Sequence, residues 1–167
     1  MIVGGLMDQD EIYMKEALLL AKRAEEDDEV PVGCVIVRDG QIIARAYNRR
    51  QTDKCATAHA EILAIEEACR TLGGWRLPRA VMYVTLEPCP MCAGALINAR
   101  VDKVVYGASD IRFGALGSLF NLAELPLNHK LSVEGGVLGD ECKNILSEYF
   151  RRKRKKKAQE DRSDIIS

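Results

Sequence analysis

Apolar residues recur at helical spacing at Ile12, Ala17, Leu20, Ala21 and Ala24, just behind Asp8-Gln9-Asp10-Glu11. That acidic start offers an Asp N-cap and a Glu at the third helical position, so the pattern predicts a first helix with one buried face. The helix ends in the acidic run Glu25 to Glu29 and breaks at Pro31. Val32 to Val37 is then a continuous apolar run, Ile42-Ile43-Ala44 is a second, and Asp39-Gly40 between them is a hairpin turn signal. A polar stretch, Asn48 to Thr57, leads into a second helix from about Ala58 to Leu72, stopped by Gly73-Gly74. Val81 to Leu86 reads as a third strand buried on both faces. A third helix follows from near Cys89 to near Ala99, and then a fourth strand over Lys103 to Tyr106. Gly107 to Asn128 is mostly loop with a short helical piece, Leu131 to Val133 is a fifth strand, and Asp140 opens a last helix. A hairpin followed by alternating helix and strand predicts an α/β fold: a five-stranded mixed sheet with an antiparallel edge hairpin, between two helical layers.

At 167 residues, 47% hydrophobic and 29% charged, the chain has the length and composition of one globular domain, expected over 1–157, with 158–167 a frayed or disordered tail. No apolar run approaches the roughly 20 residues of a membrane span, and Met1 to Met7 has neither the form of a secretory signal nor that of a transit peptide. Four of the six cysteines (Cys34, Cys55, Cys69, Cys142) follow no framework spacing and read as free thiols of a reducing cytoplasm. Charge is uneven. Arg151 to Lys157 is a block of seven cations, and removing them from a net charge of −1 leaves −8 on the rest. A basic edge on an acidic body suits a polyanionic partner, although a solvated tail would look the same.

The chemistry sits in two motifs, His59-Ala60-Glu61 and Pro88-Cys89-Pro90-Met91-Cys92. Cys89 and Cys92 are spaced so that both sulfurs can meet one ion on the first turn of a helix, and His59 opens the other helix. Zinc takes thiolate and imidazole in tetrahedral sites, and a catalytic zinc keeps its fourth position for water. Glu61 lies two residues from His59, which on a regular helix places the two on roughly opposite sides; spacing alone argues against Glu61 as a ligand and leaves open whether it reaches the pocket. A closed zinc knuckle completed by Cys55 or Cys34 is the structural alternative, and a redox Cys-x-x-Cys would have no use for the His-Ala-Glu.

H-x-E followed by P-C-x-x-C is the known signature of zinc-dependent nucleobase deaminases. With Val30-Pro31-Val32-Gly33, Asn48-Arg49, Thr57 to Ile62 and Thr85 to Ala95, the chain resembles the zinc-dependent cytidine deaminase superfamily. Further on stand Tyr106-Gly107, Asp110, Gly114-Ala115, Gly117-Ser118, Asn128-His129, Gly136-Val137-Leu138, Glu141-Cys142 and Tyr149-Phe150-Arg151. Through these it is similar, within that superfamily, to the bacterial tRNA-specific adenosine deaminases, from about Met7 to Arg154. Trp75 and Tyr149 stand where Tyr and Phe are usual.

The resemblance implies a cytidine deaminase-like α/β/α sandwich and hydrolytic conversion of a wobble adenosine to inosine in a tRNA anticodon stem-loop. It implies one zinc per subunit on His59, Cys89 and Cys92, and Glu61 as the proton-carrying catalytic residue. Asn48 and backbone near Ala58 would orient the base; Asp110, Asn128 and His129 would touch flanking nucleotides; Arg151, Lys153 and Arg154 would meet phosphates. Glu87 would brace the cysteine loop. A cytoplasmic homodimer with no organic cofactor and no membrane association completes the expectation. Deamination of a free guanine, cytosine or nucleotide is the rival with the same zinc chemistry, but seven cations have no backbone to meet there.

Overall fold

The computed structural model describes residues 8–166, with side chains described to residue 164; the readings of Met1 to Met7 and of Ser167 lie outside the described residues. The chain runs α1 (Gln9–Glu26), β1 (Gly33–Arg38), β2 (Gln41–Tyr47), α2 (Ala60–Leu72), β3 (Ala80–Leu86), α3 (Pro90–Asn98), β4 (Lys103–Ala108), β5 (Ser132–Gly135) and α4 (Gly139–Ile166), with a 3-10 turn at Leu122–Glu124. Helix α1 starts where the acidic cap predicts, the Asp8 carboxylate accepting the Asp10 N–H. Its buried stripe is Tyr13, Met14, Ala17, Leu20, Ala21 and Ala24, while Ile12 turns to solvent. Asp39 and Gly40 both take positive φ (50° and 74°), the backbone a two-residue hairpin needs to match strand twist.

The sheet order is β2-β1-β3-β4-β5. β1 pairs antiparallel with β2 and with β3, whereas β3–β4 and β4–β5 are parallel. Alternate residues of β1 serve opposite layers: Cys34 and Ile36 join α2 and α3 with Met82, Val84 and Val104, and Val35 and Val37 join α1 with Tyr83, Val105 and Cys142 of α4. This is the expected three-layer sandwich. One extent differs from the sequence reading, because α4 continues through 158–166 instead of fraying. Residues 140–166 hold no Gly or Pro, and Lys, Arg, Ala, Gln and Glu dominate the stretch beyond 150, so nothing local stops the helix.

Three strand ends meet at one edge of the sheet. Tyr47 lies opposite Gly33, the Gly33 N–H donates to Thr85 Oγ1 at 3.2 Å, and Leu86 pairs with Ala108. The chain leaving this edge therefore supplies Asn48, Glu87 to Cys89 and Asp110 to one place, in keeping with the rule that α/β sheets bind ligands beyond their strands' carboxyl ends.

Candidate metal centre and the loops around it

His59 and Cys89 are each the N-cap of a helix and each extended (φ −74°, ψ 149° and φ −73°, ψ 173°), with Pro90 beginning α3. His59 Nδ1 lies 3.8 Å from Cys89 Sγ and 3.5 Å from Cys92 Sγ, and the three donor atoms fall within 4.8 Å of one another. A tetrahedral zinc, with bonds of about 2.0 Å to nitrogen and about 2.3 Å to sulfur, sets N···S pairs about 3.6 Å apart. The donor set and its spacing fit that ion. Neither proposed fourth ligand joins the group. The Cys34 thiol donates to the Ala60 carbonyl at 3.2 Å, and exposed Cys55 lies 3.4 Å from the Thr57 hydroxyl. Among the described residues only His59, Cys89 and Cys92 make such a group, which leaves a coordination position for water.

Taken alone, the two thiols divide their protons unequally. The Cys92 thiol and the His59 ring hydrogen-bond the Cys89 sulfur and hold it well below an ordinary thiol, while Cys92 is pushed up by the bond it donates and by burial. Zinc replaces such protons with its own charge and favours both sulfurs as thiolates.

Glu61 is buried in the first turn of α2, beside Cys92 and within the field of His59 and Cys89. The opposite-sides argument from helical spacing fails for a definite reason: His59 has cap geometry, outside the helix, so the 100° per residue rotation does not separate it from Glu61. Burial pushes the Glu61 carboxyl from 4.5 up to about 7, opposed by its backbone N–H, then by the charge of His59 and the Cys92 hydrogen bond; a cation at the three donor residues would pull it back down.

Glu87 is the most fully used polar side chain at this edge. Its buried carboxylate accepts the N–H groups of Leu116 (3.1 Å) and Ser118 (3.0 Å) on Oε1, and the Asp110 N–H (3.0 Å) and the Ser118 hydroxyl on Oε2. The Ala115 N–H reaches the Pro88 carbonyl at 3.0 Å, so the 110–118 loop is pinned to the residues that carry Cys89. A Cβ at Gly114 would run into the Glu87 carboxyl, which is why the close approach needs glycine.

The expected substrate residues turn out to do structural work. Asn48 Oδ1 accepts the Ala60 N–H at 2.8 Å and caps α2, leaving its amide nitrogen as the group able to meet a base. Ala58 donates to the Cys55 carbonyl and accepts from Arg49. Asp110 Oδ1 accepts the N–H groups of Arg112 (2.9 Å) and Phe113 (3.1 Å), and His129 Nε2 donates to the Val101 carbonyl at 2.7 Å. Asn128 lines a groove of about 710 Å³ along α3 with Thr57, Ile62, Met91 and Leu127. In the basic block, Lys153 binds Asp28 at 2.6 Å and Arg152 binds Glu25, which ties α4 to the end of α1. One functional contact carried no sequence signal. Buried Glu29 accepts the Thr52 N–H (2.7 Å) and hydroxyl (3.0 Å), tethering the loop that leads to His59. In the sequence Glu29 is only the last acid of a run.

Residues 7–108 match the family model of the cytidine and deoxycytidylate deaminase zinc-binding region. The tRNA-specific adenosine deaminase of Bacillus subtilis is 57% identical over 152 residues, 90% of this chain and 94% of that protein. A structure from studies of A-to-I editing by tRNA:A34 deaminases at the wobble position of transfer RNA superposes with a TM-score of 0.77 at 45% identity, over 81% of this chain and 99% of the other. Guanine deaminase from Nitrosomonas europaea superposes less well, at 0.70 and 29% identity, with 83% of each chain covered. An imidazole and two sulfurs at tetrahedral spacing thus make a site that fits one zinc, and the chain belongs to the zinc-binding cytidine and deoxycytidylate deaminase family.

Proposed function

We propose that the protein hydrolyses adenosine to inosine at the wobble position of a tRNA anticodon loop. The observation that carries this reading is the 57% identity, over 90% of this chain, to a tRNA-specific adenosine deaminase. The metal and acid geometry supplies the means. Zinc on His59, Cys89 and Cys92 would provide water activated at neutral pH, its pKa lowered toward about 7.

Glu61 then carries the protons. Its carboxylate takes one from the attacking water as the C6–O bond forms, and gives it to N1 of the purine. It then takes the second proton from the new C6 hydroxyl and passes it to the 6-amino group, so that C6=O forms as the C6–N bond breaks and ammonia leaves. Such shuttling is worth about 10²–10⁴-fold. Burial suits Glu61 to this, because a dry carboxyl exchanges a proton with the base and not with bulk solvent. The Asn48 amide nitrogen, adjoining the start of α2, donates to an acceptor on the base while its oxygen holds the helix. An adenosine stacked in a duplex cannot enter such a site, so the substrate is an extruded loop nucleotide. Arg151 and Arg154 would meet RNA phosphates, with Lys153 contributing less because it is already paired with Asp28.

Two chains make the working unit in this reading, the exposed Met91 and Leu127 lining the α3 groove favouring a partner. The setting is the cytoplasm, where tRNA and reduced thiols coexist; among the described residues no helix is long and apolar enough to cross a membrane. Ammonia release measured side by side on the stem-loop, free adenosine, guanine and cytosine tests the reading. Turnover on the stem-loop alone supports it, and faster turnover of free guanine overturns it in favour of a small-molecule deaminase. Sedimentation as a monomer at micromolar concentration would contradict the two-chain unit.

A further inference from the structure

The loop that Glu87 pins to the cysteines ends in a tip whose side chains the mechanism above does not use. Asp110 spends its carboxylate on the N–H groups of Arg112 and Phe113, and its own N–H on Glu87. It therefore shapes the turn, and Ile111, Arg112 and Phe113 are left facing outward. Ile111 is 81% exposed and Phe113 63% exposed, although both sit on a segment anchored at 110, 116 and 118. Large apolar side chains left exposed on a rigid tip contribute little to folding; a ligand that covers them gains their burial with little ordering left to do.

The tip's position and charge select the ligand. Its two flanks, Asp110 and Ala115, are bonded to Glu87 and Pro88, just before Cys89 in the chain, which sets the tip near the surroundings of a reacting nucleotide. Arg112 sits between the two apolar side chains, and among the described residues its guanidinium is paired with no carboxylate. An aromatic face beside an unpaired cation is the arrangement that stacks an unpaired base and meets its phosphate. Resting on the proposed RNA reading, we infer that the Ile111–Arg112–Phe113 tip seats the unpaired nucleotide next to the one deaminated, with the Phe113 ring as its stacking platform.

The test uses full-length, zinc-loaded protein and a fluorescent anticodon stem-loop, with Kd read by anisotropy. Base–aromatic stacking predicts that Phe113→Ala and Phe113→Leu both weaken binding about 5- to 150-fold, while Phe113→Trp holds affinity within about threefold. An abasic nucleotide on one side of the wobble position, and not on the other, should abolish the difference between wild type and Phe113→Ala. Equal binding by Phe113→Ala and a wild type that converts the stem-loop would overturn the platform alone. Rescue by Leu, or the same loss on every abasic RNA, would also overturn it. Phe113→Ala turning a dimer into a monomer would show instead that the tip, with Leu119 and Phe120 across the same hairpin, covers a second copy of the chain. Failure of the wild type to bind the stem-loop at all would remove the RNA reading and the platform together.

Discussion

Replacing Glu87 with alanine removes one carboxylate and leaves the Asp110, Leu116 and Ser118 N–H groups facing a cavity. A buried donor left without a partner costs about 1–3 kcal/mol, and bonds to a charged acceptor contribute more than neutral ones. Allowing for water entering the space, we expect Glu87→Ala to lose about 4–6 kcal/mol. Glu87→Gln is the sharper variant. Its oxygen, placed at Oε1, keeps the Leu116 and Ser118 bonds, while its NH₂ at Oε2 confronts the Asp110 N–H and the Ser118 hydroxyl turns to accept. The expected cost is about 2–3 kcal/mol. At about 2–4 °C per kcal/mol for a chain of this size, Tm should fall by about 4–12 °C for Gln and further for Ala. Zinc content should stay near one per chain while kcat/KM on the stem-loop drops, because the ligands come from the helix starts and the loop supplies the surroundings. Thermal unfolding with metal analysis on the same samples reads both effects. A rise in Tm for Glu87→Gln would mean that the burial cost of the charge exceeds the four bonds it accepts, and would refute the reasoning.

Three further outcomes follow from the site. Glu61 is raised by burial to about 7, so its contribution to stability is complete below about pH 4.5 and is lost as pH climbs through about 7. In chelator-treated protein, Glu61→Gln should therefore gain on wild type by up to ~3 kcal/mol between about pH 5 and pH 8 in urea unfolding, and a pH-independent difference would contradict this. Asn48→Ala loses the α2 cap and should cost about 1–2 kcal/mol, whereas Asn48→Asp keeps an acceptor for the Ala60 N–H; the Asp variant should stay folded by circular dichroism yet deaminate about tenfold more slowly or worse for want of the amide donor. Neutralising Arg151, Arg154, Lys155, Lys156 and Lys157 should flatten the slope of log K against log salt by about 3 to 4, while changing Arg152 and Lys153, already paired with Glu25 and Asp28, should alter it far less. An unchanged slope in the first variant would return the block to a solvated tail.

The elements were legible wherever local chemistry sets them. Asp8 caps α1, Asp39-Gly40 makes the hairpin, Gly73 takes the left-handed stop of α2 with φ 71°, and Pro90 opens α3. The grouping of His59 with Cys89 and Cys92 was legible because Cys-x-x-Cys on a first turn and a cap histidine need little tertiary information. Glu61 was harder, since its place depends on His59 lying just outside the helix, a matter of one residue's backbone. The roles of Asp110, His129 and Asn48 were less legible still. Each polar side chain is engaged by a backbone group distant in sequence or two to three residues away, and residue type does not distinguish a ligand contact from a turn. Glu29 holding Thr52 lies at a separation of 23 residues, beyond any periodic signal.

At the centre of the proposal, His59, Cys89 and Cys92 would hold the zinc that activates water, and Glu61 would carry the protons as the protein deaminates the wobble adenosine. Its most direct test is nuclease digestion and mass spectrometry of a stem-loop incubated with wild type or Glu61→Ala, with zinc counted in both proteins. We predict inosine at the wobble position from wild type alone, one ammonia per inosine, and about one zinc per chain in each protein, with turnover by Glu61→Ala reduced at least about 10²-fold. Substantial inosine from Glu61→Ala, or a wild type that leaves the adenosine intact with zinc bound, would contradict it.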